Sequence, residues 1–300
     1  MKHTFIYMSL CSVLLFLGGC SNESEIDNRV DNLRTPLTIR AVASYFETQP
    51  AGEGLSTRTP NENGLNTSFQ TGDAIGIFAI KDNAIVDGIN NTQLTYSETS
   101  GSIGTWTPAD PNTILYYYAG VTYIAYYPYK NGITITPSQA TNTIIASLAV
   151  NSSLQPLTDQ SSTDGSLANY TASDLMIACG SPSADTDNPA KQILNLNFAH
   201  QFALLVLKPQ TYNAAANATN MDMKACDVTL NGYTPCRMTD GSFRAIIVPG
   251  KTSPPITGEY KTSDGITAAA NKTIVFSGNE SSFAAGYCYT LEVKSTFKGK

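Results

Sequence analysis

Histidine is nearly missing from this chain. Two occur in 300 residues; His3 stands close to the first methionine and leaves His200 alone in the body of the sequence. A multi-imidazole metal centre, or catalysis passing two protons between histidines, has nothing to work with. Charge is scarce too: Asp, Glu, Lys and Arg make up 14%, against about a quarter in ordinary soluble domains. What charge there is leans acidic, 24 to 18, for a net −6, which argues against nucleic acid and anionic membrane surfaces as partners. Cys-x-x-Cys is absent, so neither a zinc ribbon nor a thioredoxin-type pair is supported. Gly-x-Ser-x-Gly, His-Glu-x-x-His and a glycine-rich phosphate loop are absent as well. Carboxylate pairs such as Asp185 and Asp187 fall in a polar stretch, where solvation accounts for them better than glycosidase chemistry. These absences point away from an enzyme and imply no cofactor or metal.

Long apolar runs are missing, with one partial exception. Phe5 to Leu17 is largely apolar, preceded by Met1-Lys2-His3 and followed by Gly18-Gly19-Cys20. It is shorter than the roughly 20 residues of a spanning helix. A basic lead, a short apolar stretch and small residues at a cut site are instead the marks of an export signal. Small residues ending in cysteine resemble a bacterial lipobox, in which Cys20 is lipidated, palmitate being a usual chain, and becomes the new N-terminus; the alternative is an ordinary secretory signal. Residues 1–19 are thus expected to be a lipoprotein signal peptide. Residues 20–35 are polar, carry Glu23, Glu25, Asp27 and Asp31, and read as a flexible tether. The acidic stretch after Cys20 resembles the surface-export signal of some Gram-negative lipoproteins, although a plain spacer explains it equally well. The expected location is the outer membrane at the cell surface, with lipid holding the chain there.

A helical apolar period never lasts a dozen residues. The chain offers short β-type runs instead, rich in Thr and Tyr, which suit a half-buried pleated face. Leu37, Ile39, Ala41 and Ala43 alternate, with Thr38, Arg40 and Ser44 on the other side and Val42 breaking the pattern. Ala74–Ile80, Tyr116–Tyr118, Thr122–Tyr129, Leu194–Phe198, Phe202–Leu207, Phe243–Val248 and Tyr287–Val293 follow. Residues 138–171 are polar without period and are expected as long loops; Ser181–Pro189 is the best candidate linker. The expected fold is all-β, with one β-sandwich over 36–190 and a second over 191–300.

Cys226 and Cys236 flank Leu230-Asn231-Gly232. A three-residue hairpin loop there would set the two cysteines opposite each other. Either they form a cross-strand disulfide contributing about 2–3 kcal/mol, or they are two free core thiols.

An ordered set of motifs carries a resemblance to a known family. Cys20 in its lipobox comes first, then Thr57-Arg58-Thr59 and Thr71-Gly72-Asp73-Ala74-Ile75-Gly76-Ile77-Phe78-Ala79. Next are Tyr126-Tyr127-Pro128-Tyr129, Asp174-Leu175-Met176 and Leu196-Asn197-Phe198-Ala199-His200. Ile247-Val248-Pro249 and Ala285-Gly286-Tyr287-Cys288-Tyr289 close the set. In this order the chain resembles the fimbrillin-like (Mfa-like) lipoproteins, subunits of type V pili assembled by donor-strand exchange.

The resemblance implies two tandem transthyretin-like sandwiches and a function in adhesion within a fimbrium. It implies that the first strand, with Leu37, Ile39, Ala41 and Ala43 facing inward, is released on maturation. A surface protease would cut between Arg58 and Thr59, and a strand from another pilus subunit would fill the groove by strand addition. Arg40 lies inside the strand and Arg34 before it, so cutting there would not free it whole; Arg58 as a plain loop arginine is the alternative. His200 is expected as a structural residue opening the core of the second sandwich. After Val293 only seven residues remain, with Phe297 the single large apolar one, a poor donor segment; either this is a tip or minor subunit that accepts without donating, which is the expectation, or the chain is truncated or divergent. The implied partners are other pilus subunits, the maturation protease, the membrane through the lipid anchor, and a host protein or glycan. A competing reading is an uncleaved surface lipoprotein that binds glycan through the tyrosine clusters 116–118 and 123–129.

Overall fold

The computed structural model describes residues 34–48, 65, 67–98, 104–162, 167–209, 212–213, 222–251, 255–263 and 272–293. Cys20 with the expected signal and tether, Arg58 and Thr59, and the tail after Val293 lie outside these residues.

Strands come first: β1 (Leu37–Ala43), β2 (Glu47–Thr48), β3 (Ala74–Lys81), β4 (Ala84–Ser97), β5 (Thr105–Pro108) and β6 (Thr122–Tyr127). Two helices, α1 (Thr141–Ala149) and α2 (Ala168–Ala172), precede β7 (Met176–Gly180), β8 (Ser183–Ala184) and β9 (Gln192–His200). Then follow β10 (Ala203–Pro209), β11 (Tyr212–Asn213), β12 (Asp222–Leu230), β13 (Cys236–Arg237), β14 (Phe243–Ile247) and β15 (Gly250–Lys251). The last four are β16 (Thr257–Ser263), β17 (Lys272–Ser277), β18 (Ser282–Phe283) and β19 (Tyr287–Val293). The chain is all-β, as its short runs indicate.

The first sheet has eight strands in the order β1-β9-β7-β6-β3-β4-β5, with β8 beside β9. It curls until β1 meets β5 and Pro36 bridges Tyr116. A second sheet runs β13-β14-β10-β19-β2, and a third runs β11-β12-β16-β17.

Three apolar cores separate these layers. Inside the curl lie Ile39, Phe69, Ile75, Ile77, Trp106, Tyr123, Tyr127, Leu194, Leu196 and Phe198. Between the outer face of the curl and the second sheet lie Phe46, Phe78, Ile124, Tyr126, Phe202, Leu204, Val206 and Ile246, with Ile144 and Leu148 of α1. The second and third sheets enclose Leu205, Leu207, Ala245, Ile247, Val228, Leu230, Tyr260 and Phe276. This layering explains the unbroken apolar runs. β3 and β6 are covered on both faces, so neither face needs polar residues, whereas β9 alternates buried and exposed along Leu194–Phe198.

Three stretches differ from what the sequence indicates. Residues 138–171 contain α1, a short amphipathic helix whose buried face is only Ile144 and Leu148; two apolar contacts are too few to show a period. Ser181–Pro189 is no linker: β8 pairs with β9, and Asp185 N donates to Lys191 O across the turn. And Gln192–His200, placed after the expected boundary at 190, hydrogen-bonds into the first sheet between β1 and β7.

The Gly-Asp-x-Ile-Gly stretch is structural. Gly72, at φ 100°, makes the turn into β3. The Asp73 carboxylate accepts from Gln70 N at 2.7 Å and from the Tyr127 hydroxyl at 3.2 Å. Gly76 leaves room for the ring of Tyr126, whose hydroxyl hydrogen lies between Asn91 Oδ1 (2.7 Å) and Lys130 O (2.8 Å). A Cβ at 76 would overlap that ring and come 2.6 Å from Asn91 Oδ1. Gly76→Ala is expected to cost about 1–3 kcal/mol through this overpacking, read as a lower urea midpoint.

Candidate functional site

The alternation of Leu37, Ile39, Ala41 and Ala43 places one edge of β1 on β9 and one face in the first core. The two strands run parallel in unbroken register from Leu37 opposite Gln192 to Ala43 opposite Phe198. Ile39 is 5% exposed, and Leu37, Ala41 and Ala43 pack against the same core. Val42 points the other way and is 59% exposed. The four inward residues thus come together as the sequence indicates. At its start β1 is closed on its second edge, where Leu37 N donates to Leu115 O and Tyr117 N to Thr35 O, both at 2.8 Å. Arg34 lies over the Tyr116 ring, 5.5 Å from its centroid. Arg40, half-exposed, reaches the buried carboxylate of Asp185 at 3.8 Å, so this carboxylate is not solvated as its polar stretch indicates.

The chain does not end its contacts at Ala43. Ser44 N donates to Phe198 O at 2.8 Å, Tyr45 turns out to solvent, and Phe46 drops into the core between the first and second sheets, 2% exposed. Glu47 and Thr48 then pair in parallel with Tyr287 and Cys288 at the edge of the second sheet. Glu47 also holds the Tyr287 hydroxyl, which raises that phenol above its ordinary pKa. One segment of 15 residues, 34–48, therefore adds a strand to two sheets and a plug to the core between them.

His200, at the end of β9, holds the turn of that segment. Its ring stacks on Phe46 with centroids 3.7 Å apart and planes 19° from parallel. Nε2 lies 2.9 Å from Ser44 O, and a carbonyl only accepts, so Nε2–H donates. Nδ1 lies 2.8 Å from Asp174 Oδ1, with a proton between them. Thr67 Oγ1 stands at 3.5 Å from Nε2. Both nitrogens are engaged and the ring is buried, so His200 orients chain and is not available to take a proton from a substrate. Asp174 stands in one of the motifs quoted above and Ser44 on the outer side of the first run, but their joint contact with His200, and the part of Phe46, escape a reading of the sequence. The one signal is Phe46 itself, an aromatic just past the alternating run and out of phase with it.

The tyrosine clusters are largely core. Tyr123, Tyr126 and Tyr127 are buried, and burial pushes the first two phenols up to about 12. Tyr116, Tyr117 and Tyr118 are half-buried.

Of the two readings of Cys226 and Cys236 the structure has the unpaired one, and the loop between them is one residue shorter than the sequence indicates. Asn231 and Gly232, at φ 52° and 83°, form a two-residue turn, and Leu230 and Tyr233 exchange both backbone bonds at 2.9 Å. The register moves by one residue. Beyond the turn β12 pairs with β16 in the third sheet and β13 with β14 in the second. Cys226 is half-buried and Cys236 is buried on a different sheet, with no disulfide between them.

The fold is similar to that of solved Bacteroides proteins. A crystal structure of a fimbrial protein from Bacteroides ovatus superposes with a TM-score of 0.60 at 21% identity, covering 89% of this chain and 50% of that one. A "putative cell adhesion protein" from Bacteroides uniformis gives 0.51 at 17% identity, covering 87% and 93%. The model of the fimbrillin-like family matches residues 57–298, and the chain belongs to that family. In sequence it is 31% identical over 227 residues to the Bacteroides ovatus protein named "Putative fimbrium tip subunit Fim1C". That match takes in 74% of this chain and 38% of the relative, so the chain spans well under half of that protein's length.

Proposed function

We propose that this chain is a fimbrial subunit exported as a lipoprotein through Cys20 and activated by a cut between Arg58 and Thr59. The cut frees the segment carrying β1, and a strand from another subunit takes its place. The observation that carries the reading is the seating of β1. It joins the body laterally, through a ladder to the sequence-distant β9 and an inward row of four side chains. Emptying that seat would expose the apolar surface now covered by Leu37 and Ile39, worth about 1.5–3 kcal/mol for each side chain fully buried, along with the bare edge of β9. Such an edge recruits another strand.

The same reading divides the chain into two sandwiches, the curled first sheet and the pair formed by the second and third. It places the mature subunit at the cell surface in a fimbrium, where it contributes to adhesion. A tip or accessory position takes its support from the name of the Bacteroides ovatus relative. The glycan-binding alternative relies on tyrosines of which three are buried, and nothing else favours it.

The test is the N-terminal sequence and intact mass of the protein recovered from cells and from shed fimbriae. A shed species beginning at Thr59 is expected, and Arg58→Gln should abolish it. Finding only acylated chains that begin at Cys20, on cells and in shed material alike, would overturn the reading.

A further inference from the structure

Phe46 and His200 set a requirement on the strand that replaces the first one. We infer that the seat ends in an aromatic slot at the junction of the first and second sheets, and that the incoming strand of another subunit carries an aromatic side chain there. This rests on the strand-exchange reading and goes beyond it.

The named contacts of Phe46 belong to residues beyond Arg58, so they stay with the body when the segment leaves. His200 covers one face of its ring at 3.7 Å, and Leu65 O accepts from its backbone N at 3.3 Å. His200 cannot swing into the gap, because Asp174, itself buried, holds Nδ1. Departure of the segment removes two things at once. Nε2–H loses the carbonyl of Ser44, and the ring loses its stacking partner. Any peptide restores a carbonyl, since every residue carries one. A flat ring stacked on the imidazole refills that space at native packing density, whereas an aliphatic side chain covers the imidazole face less completely.

Spacing fixes where that ring must be. The inward residues of β1 recur at every second position from Leu37 to Ala43. At Ser44 the chain leaves the first sheet, and by Glu47 it is paired with the second. The aromatic therefore falls three residues after the last inward position. The partner strand should show inward residues at positions 1, 3, 5 and 7 and an aromatic at position 10, counted as in residues 37–46.

The experiment uses the full chain with residues 56–60 replaced by the recognition sequence of a site-specific protease. The protein is folded, cut, and mixed with an excess of a fluorescent synthetic peptide covering residues 34–49, and displacement of the native segment is followed by chromatography. With Phe46→Ala the segment should leave about a hundredfold faster. Phe46→Leu should lie between Phe46→Ala and the parent, and Val42→Ala should change nothing. His200→Ala should shrink the Phe46→Ala effect to about tenfold, since the stacking contribution is then gone while the burial of the ring remains.

A second arm keeps the wild-type body and varies only the peptide, so a variant that fails to fold decides nothing there. The Phe46→Ala peptide should bind about a hundredfold more weakly than the native one. Equal binding of the native peptide and its Phe46→Leu variant would overturn the aromatic slot and leave strand exchange standing. A cut parent chain that never releases its segment and never takes up the native peptide would overturn strand exchange itself, and the slot with it.

Discussion

Ile39→Asp should cost about 4–5 kcal/mol, a large share of the roughly 5–15 kcal/mol that holds an ordinary protein folded. Ile39 is 5% exposed and sits among the apolar side chains of the first core. Its removal forfeits the burial of a branched side chain, about 1.5–3 kcal/mol. The carboxyl that replaces it must either stay charged in those apolar surroundings or take up a proton, and both are unfavourable. Val42→Asp, three residues on and on the opposite side of the same strand, should change stability by no more than about 0.5 kcal/mol, because Val42 is 59% exposed. Urea unfolding of the two variants beside the parent makes the comparison. Equal losses would mean that β1 does not present one face to the core. No loss from Ile39→Asp would mean that it is not seated at all.

Gln160→Leu is the second large effect, and here the loss comes from hydrogen bonds alone. Gln160 is 0% exposed, and its amide mimics a missing strand beside β14. Nε2 donates to Ile246 O at 2.7 Å and to Leu157 O at 2.9 Å, while Oε1 accepts from Ile246 N at 2.8 Å. Leucine fills most of the volume and strands both backbone groups of Ile246 in an apolar layer. At about 1–3 kcal/mol for each unsatisfied buried group, the expected loss is about 2–6 kcal/mol. Gln160→Glu separates the causes by pH. An ionised carboxylate meets Ile246 O with no donor, so burial and that carbonyl raise its folded pKa above the unfolded value. The variant's deficit is then present at neutral pH and shrinks as the pH falls through the raised pKa, because a protonated carboxyl both donates and accepts. A deficit that grows on acidification, beyond that of the parent, would contradict this account.

The sequence made some of this molecule plain for reasons that are local. Alternation along β1 and β9, and solid apolar runs at β3 and β6, reflect how many faces of each strand are covered, which composition alone reports. Pairing between distant segments is different. Nothing in Leu37–Ala43 or in Gln192–His200 names the other as its partner, so β9 read as the opening of a second unit when it is the neighbour of β1. The turn at Asn231-Gly232 shows a finer limit. Two residues at positive φ and three residues with one bulge share the same composition, yet they differ by one position in register, and that step separates Cys226 from Cys236. The site was half visible for a similar reason. Inward residues repeat and can be counted, whereas Phe46, His200 and Asp174 occur once each and acquire meaning only where the chain brings them together.

The parallel ladder between β1 and β9 also has a mechanical side. Its hydrogen bonds lie across the strands, so tension applied through Arg34 along the axis of β1 loads the whole length from Leu37 to Ala43 together, in shear. A pull at right angles would instead peel the bonds one after another. A chain dragged in line with this strand would therefore resist far more force than its few hydrogen bonds suggest, and under the proposed cut that line of load would be broken while the ladder itself stayed in place.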